Sequence, residues 1–228
     1  MAVQRITLAQ IVTELFRISG FADSASAPWL TDANLYIIIN NYQQRLVSRV
    51  AQVAAAAGIK TAAKIRLGMW KTQANLTATS GSSTVHFPTD YDQFESFYDN
   101  TYAKPIEAIS EVNRWHIRKL RSRPSGPTEA IEILDYVSNA ATWQRRALLW
   151  PTVQTGITPS ISCTYWRIPA AFTGAGTEYP DGDYKYHNLW IYGPALEILR
   201  PEDPDYSRYE ALEKELLLEI ALTGTSAS

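Results

Sequence analysis

The chain has 228 residues, of which 46% are hydrophobic and 19% are charged, a balance typical of a globular protein with one sizeable core or two smaller ones. Its 21 basic and 23 acidic residues give a formal net charge of −2. This charge argues against a protein whose main task is to coat nucleic acid or to bind an anionic membrane through bulk positive charge.

Targeting and redox signals are weak throughout the chain. The N-terminus, MAVQRITLAQIV, lacks the apolar core and cleavage site of a secretory signal. The longest weakly polar run, at 50–59, is far shorter than the roughly 20 apolar residues that a spanning helix needs. A single cysteine allows no internal disulfide and suits a reducing compartment. The sequence therefore predicts a soluble protein made in the cytosol that does not act on membranes.

Two amphipathic helices are predicted at the N-terminal end. Thr7 and Gln10 have capping-box spacing, and the first helix is predicted over about 7–18. Its predicted apolar face consists of Leu8, Ile11, Val12, Leu15 and Phe16. A second helix is predicted from an N-cap at Thr31 or Asp32 to Gly58. Its apolar residues at three- and four-residue spacing are Leu35, Ile38, Ile39, Tyr42, Leu46, Val50 and Val53.

After the second helix the spacing of apolar residues changes from the 3.6-residue period of a helix to the two-residue period of a strand. Alternation over 65–69, two short strands joined by a Ser/Gly turn within 74–88, and strand-like runs ending near Ile168 predict a mostly antiparallel sheet or small barrel. One short helix, over 110–120, is predicted to interrupt it.

The C-terminal part returns to helical periodicity. Asp183 is predicted to cap a helix that Gly193-Pro194 kinks or splits, because proline removes a backbone donor and clashes with the preceding turn. Asp203 and Pro204 are predicted to open a last helix that ends by Gly224. Together the elements predict an α+β fold. Residues 1–60 and 180–228 form a helical bundle in this interpretation, and 61–179 form a β-rich insertion domain.

No catalytic, metal or cofactor site is predicted. The three histidines, His86, His116 and His187, lack partners at metal-ligand spacing, and Cys163 has no second cysteine, so structural or surface roles are favoured. The segment FTGAGTEY (172–179) lacks the third glycine of a dinucleotide loop and is interpreted as a flexible loop. A hydrolase with carboxylates brought together by the fold, such as a glycosidase, stays open as an alternative, since spatial pairing cannot be predicted from spacing.

One basic segment is a candidate nucleic-acid or partner contact. RWHIRKLRSR (114–123) carries five cations next to Trp115 and His116, the mixture that single-strand binders use. A structural or protein-facing role is the favoured alternative, because Trp115, Ile117 and Leu120 form an anchoring face. The predicted contact residues are Arg114, Arg118, Lys119, Arg121 and Arg123.

The succession of motifs from about 124 to 199 resembles the head-to-tail adaptor, or connector, proteins of tailed bacteriophages. In that family a Gly-Pro precedes one strand, a Leu-x-x-Pro ends the next, a Tyr-aromatic-Arg-x-Pro strand follows, and a Tyr-His helix comes after a proline loop. The corresponding residues are Gly126 and Pro127; Leu148 and Pro151; Tyr165, Trp166, Arg167 and Pro169; and Tyr186, His187 and Leu189. HFPTDYDQFESFY (86–98) also fits the family habit of a short hairpin followed by Pro-x-Asp-aromatic.

The resemblance implies a structural virion protein made in the host cytoplasm. Such adaptors form a homo-oligomeric ring, usually a dodecamer, beneath the portal protein. They continue the channel through which genomic DNA passes during ejection, and they present a surface to the next tail or nozzle protein. Two further observations agree with this role: the chain has 7 Trp and 13 Tyr residues, which are favoured at interfaces, and a near-neutral charge that would not retain DNA.

Overall fold

The computed structural model describes residues 5–26, 29–59, 70–77, 82–109, 125–139 and 142–225. The helices are α1 (Leu8–Ile18), α2 (Asp32–Ala56), a short 3-10 helix (Tyr184–Tyr186), α3 (Leu189–Ile198) and α4 (Tyr206–Thr225). The strands are β1 (Lys71–Thr77), β2 (Thr84–His86), β3 (Tyr91–Asp99), β4 (Lys104–Ile109), β5 (Ala130–Asn139), β6 (Thr142–Trp150) and β7 (Ser160–Arg167). These elements confirm the predicted α+β fold.

The chain divides into two compact units. The helical unit comprises Met1–Trp70 and Pro169–Ser228, and the β unit comprises Lys71–Ile168. The predicted domain limits, 1–60 and 180–228 for a helical bundle and 61–179 for a β-rich insertion, stay a prediction.

The helices α1 and α2 begin where their capping residues predict. Thr7 Oγ1 accepts a hydrogen bond from the Gln10 N–H at 3.3 Å, and Gln10 Oε1 accepts from the Thr7 N–H at 2.8 Å, so the capping box is complete. Thr31 caps α2 by accepting from the Asn34 N–H at 3.2 Å. Both helices bury the predicted apolar faces, except that Ile38 and Val53 are half-buried.

The predicted split at Gly193-Pro194 does not occur, because α3 runs through both residues as one helix. The interruption lies earlier, where Asp183 caps the 3-10 helix and α3 starts only at Leu189. Packing against α2 explains why position 193 is a glycine, because a Cβ atom there would lie 1.9 Å from Tyr42 Cε2. Pro194 removes one hydrogen-bond donor, and α3 ends four residues later.

The core of the helical unit joins all four helices and Trp70. Trp190 is fully buried at its centre, and its Nε1 donates to Gln43 Oε1 at 2.8 Å. The Gln43 Nε2 in turn donates to the Ala170 carbonyl at 2.8 Å, so both polar groups are satisfied. The last helix, α4, begins two residues after the predicted start at Pro204 and continues through Gly224 to Thr225.

The β unit is a seven-stranded curled sheet in the order β1-β7-β3-β4-β5-β6-β2. All neighbouring pairs are antiparallel except β4 and β5, which are parallel. The prediction that β1 and β2 form a hairpin is wrong: β1 pairs with β7, and β2 pairs with β6. The predicted alternation at 65–69 and helix at 110–120 lie outside the described residues.

Strand β3 was not predicted, because its pattern of buried residues is irregular. Register shifts between Tyr91 and Gln93 and between Phe94 and Ser96 interrupt the period of two. The strand nevertheless carries the aromatic centre of the β unit. The Phe87 ring lies 4.2 Å from that of Tyr91 and 6.0 Å from that of Phe97.

Candidate functional site

The predicted basic contact segment lies outside the described residues. Arg114, Arg118, Lys119, Arg121 and Arg123 all fall between positions 109 and 125, where the description of the structure is interrupted. Their role in binding DNA or a partner therefore stays a prediction from sequence.

Of the two histidines that the structure describes, His187 is buried and His86 is not. His86 is exposed on β2, and His116 lies outside the described residues. His187 is 2% exposed, and its Nδ1 accepts a hydrogen bond from the Ile6 N–H at 3.3 Å. Burial lowers the pKa of His187, so the imidazole is held neutral and acts as a structural acceptor.

Cys163 lies in the core of the β unit on β7 and is fully buried. Burial raises the pKa of its thiol to about 12, so the reactive thiolate is scarce at neutral pH. Across the described ranges, no group of three or more histidine, cysteine, aspartate and glutamate side chains is placed to hold a metal ion.

A charged cleft of about 430 Å³ lies within the helical unit, between α2, α3 and α4. We call it the ion-pair cleft; its lining residues are Tyr42, Arg45, Arg49, Gly193, Leu196, Glu197, Tyr206 and Glu210. The sequence gives no indication of this cleft. Its arginines and its carboxylates are about 150 positions apart in the chain, and only the packing of α2 against α3 and α4 brings them together.

The charges in and beside the ion-pair cleft form pairs. Arg49 donates to Glu213 through Nε at 3.2 Å, and Glu213 is fully buried. Arg45 pairs with Glu197. Glu210 accepts from Lys214 Nζ at 2.9 Å. Each carboxylate named here thus has a cation beside it.

The same pairing occupies the carboxylates of the ion-pair cleft. A glycosidase uses two carboxyl groups that are free to act on a substrate, whereas Glu197 and Glu210 each accept from a cation. Burial and the nearby charge of Glu213 raise the pKa of Tyr42, so its hydroxyl stays protonated at neutral pH. The arrangement suits a link between helices, in which Arg49 ties α2 to α4 and Arg45 ties α2 to α3.

The segment 172–179, predicted as a flexible loop, is tied down by hydrogen bonds. The Glu178 carboxylate accepts from the Thr173 N–H at 3.0 Å and from the Gly174 N–H at 3.1 Å. The Glu178 carbonyl accepts from the Leu8 N–H at 2.7 Å, which satisfies a donor at the start of α1. The loop therefore supports α1.

Several large apolar side chains are exposed and are candidates for contacts with other proteins. In the helical unit these are Trp29 (57% exposed), Ile37 (58%), Leu222 (55%), Tyr179 (49%) and Tyr184 (47%). In the β unit they are Ile168, Tyr98 and Tyr102. Within the part of the chain that the structure describes, no helix combines the length and apolarity needed to cross a membrane.

Comparison with known proteins gives one clear relationship. The family model described as SU10 adaptor protein matches residues 6–227, which is nearly the whole chain. No curated protein shows a significant match. The family match covers the capped first helix, the β unit and the last helix. The chain therefore belongs to the SU10 adaptor protein family, a family of structural rather than catalytic bacteriophage proteins.

Proposed function

We propose that this protein is a virion component that forms a ring between the portal and the tail and continues the DNA channel. The observation that carries the proposal is the family match over residues 6–227, which includes both compact units. The ring would be a dodecamer whose partners are further copies of the chain, the portal protein and the next tail or nozzle protein. Genomic DNA would pass through it during ejection.

The exposed side chains of the helical unit support a role in assembly. Trp29 and Ile37 each leave more than half of their surface exposed. Burial of such side chains at the centre of an interface is a common source of binding energy. In our proposal the helical unit contacts the portal and neighbouring subunits, and the β unit faces the tail or the periphery.

The charge pattern supports a channel that does not retain DNA. Each phosphate that a protein neutralises adds salt-dependent affinity, so free cations along a channel would slow the passage of DNA. Several described cations already have carboxylates within 4 Å. These are Arg17, Arg45, Arg49, Lys71, Lys185 and Lys214. Together with the net charge of −2, this pairing lowers the positive charge that these six side chains offer to phosphate.

Electron microscopy of the purified protein, alone and mixed with its portal protein, tests the proposal. We expect closed rings or portal-bound rings, with the protein also present in purified particles. Replacing both Trp29 and Ile37 with serine should weaken assembly without unfolding the subunit, and Ile168→Ser, at a similarly exposed site in the β unit, is the matched control. A protein that stays monomeric with and without portal, and is absent from particles, would contradict the proposal.

A nucleic-acid-binding module is the alternative function, and it rests on the basic segment 114–123 alone. In that case, replacing Arg118, Lys119 and Arg121 with alanine should abolish binding to single-stranded nucleic acid and remove its salt dependence. A ring component carrying the same substitutions should still assemble on the portal. Measuring both nucleic-acid binding and assembly on the portal therefore distinguishes a nucleic-acid-binding module from a ring component.

A further inference from the structure

His187 connects the start of the described chain to the start of α3. Its Nδ1 accepts the hydrogen bond from the Ile6 N–H, 181 positions away in the sequence. An imidazole that accepts at Nδ1 carries its proton at Nε2. That Nε2 is buried and forms no hydrogen bond with any described residue. The hydrogen bond from the Ile6 N–H is the contact through which the neutral ring holds the segment before α1.

The surroundings of His187 contain few groups that could stabilise a positive charge. Its ring meets Trp190 of α3 edge to face, with 6.2 Å between the ring centroids, and Trp190 carries no charge. Arg5, in the segment before α1, disfavours an imidazolium, whereas Asp183 and the Gly182 carbonyl favour one. Lys185 and Glu219 are paired with each other at 3.6 Å. Desolvation is the largest of these influences and opposes the charge.

We propose that His187 is a proton-operated latch for residues 5–7, closed when the imidazole is neutral and open when it is protonated. A proton taken from solvent binds Nδ1 and occupies the lone pair that accepts the Ile6 N–H. Nδ1 then becomes a donor facing another donor, so the hydrogen bond to Ile6 is lost. The ring carries a charge that needs hydration, and displacement of residues 5–7 lets water reach it. The hydrogen bond from the Leu8 N–H to the Glu178 carbonyl stays in place.

Linkage gives the expected size of the response. In the open state the imidazole titrates near its ordinary pKa of 6.5, and in the closed state its pKa is lower. Between these two values, the ratio of open to closed latch rises about tenfold for each pH unit of acidification. Below the closed-state pKa the ratio becomes constant, because both states are then protonated.

Hydrogen exchange of the full-length protein between pH 5 and pH 7.5 tests the latch. After correction for the intrinsic pH dependence of exchange, protection of the Ile6 amide should fall by up to about tenfold per pH unit below about pH 6.5. The Leu8 amide, which donates to the Glu178 carbonyl, should keep constant protection and is the internal control. Ile6 protection that does not change with pH would overturn the proposal.

Two kinds of variant give independent checks. His187→Asn keeps an acceptor near the Nδ1 position but does not titrate, so Ile6 should stay protected without a pH response. If that variant does not fold, Arg5→Gln and Asp183→Asn provide the test, because both sites are exposed or half-exposed. Arg5→Gln should move the midpoint to higher pH and Asp183→Asn to lower pH. Equal midpoints in these two variants would contradict the latch, as would a pH response retained in His187→Asn.

Discussion

The helical unit and the β unit satisfy the same physical requirements in different ways. The helical unit is assembled from both ends of the chain, and its buried polar groups bond between segments that are distant in sequence, as Trp190 does with Gln43. The β unit is continuous, and its core is mainly apolar and aromatic, around Phe87 and Tyr91. A substitution at Gln43 or Trp190 would therefore leave a polar partner unpaired, whereas one among the aromatic residues of the β unit mainly changes packing. The buried Ser162 of the β unit, which bonds to Asn75 and Asn100, shares the first risk.

The β unit also helps the helical unit to form. A flexible chain of about 100 residues between two helical segments would cost about 4 kcal/mol in loop-closure entropy. The first and last strands of the β unit are neighbours, however, and Lys71 lies opposite Trp166 in the antiparallel register. The insertion therefore brings its own ends together, which removes much of this cost when it folds first.

The largest expected effect concerns the thiol of the β unit. Cys163 is fully buried, and burial raises its pKa to about 12, so at pH 8 it should react with a thiol reagent more than about 1000-fold slower than in unfolded protein. Raising the pH toward 10 should increase the rate of the folded protein by a larger factor than that of the unfolded chain, because the unfolded thiol is already largely ionised near that pH. Stopped-flow labelling in native buffer and in denaturant measures both rates. Rapid labelling in native buffer would show that the β core opens readily.

A large loss of stability is expected when Arg49 is replaced by methionine. The fully buried Glu213 would keep its carboxylate without a cation, which typically costs about 3 kcal/mol. Urea unfolding followed by circular dichroism at 222 nm measures this loss. Lys214→Met removes the exposed partner of Glu210 and should cost about 0.5 kcal/mol or less.

The Arg49→Met variant also tests whether the two units unfold independently. If they fold independently, Cys163 labelling should be the same in the variant and in the unmodified protein. A parallel acceleration of labelling would show that the two units unfold together.

A smaller but still substantial effect is expected for Gly193→Ala. The new Cβ atom would overlap the Tyr42 ring at 1.9 Å, so α2 and α3 must move apart, at a cost of about 2 kcal/mol after the gain in helix propensity. Gly176→Ala, whose Cβ atom would lie 3.3 Å from Ala9, is the control and should cost less. In a Tyr42→Leu background the penalty at Gly193 should shrink. An equal penalty in both backgrounds would show that Tyr42 is not the cause.

The smallest predicted effect concerns the first turn of α1. Thr7→Ala removes the side-chain acceptor for the Gln10 N–H and should lower the free energy of unfolding by about 1 kcal/mol. Thr7→Ser retains the hydroxyl and should stay close to the unmodified protein. Chemical denaturation of the unmodified protein, Thr7→Ala and Thr7→Ser under the same conditions measures the three unfolding midpoints. Equal midpoints would show that the cap does not contribute to stability.

Elements with local signals could be predicted from the sequence, and those that depend on distant partners could not. The starts of two helices were predicted correctly from local signals. These signals are the capping box of Thr7 and Gln10, and Thr31 followed by the periodic apolar face of α2. Strand β3 was missed because its bulges remove the period of two. The prediction of a hairpin between β1 and β2 was wrong, because β1 pairs with β7 and β2 pairs with β6. Two strands that are close in sequence need not pair when other strands can pair with them.

The candidate site divides in the same way. The sequence located the basic segment 114–123 and a set of histidines, and it favoured structural roles for the latter. It contained no signal that Arg45 and Arg49 would face Glu197 and Glu213, since no spacing rule links positions that far apart.

The sequence by itself determined the α+β composition, the capped helix starts, the near-neutral charge and the adaptor resemblance, because capping, periodicity and composition act over a few residues or over the chain as a whole. The strand order, the ion-pair cleft and the contact between His187 and Ile6 became visible only in the folded chain. These features depend on which of many apolar faces pack together, and that choice is made by the summed burial of segments up to 181 positions apart.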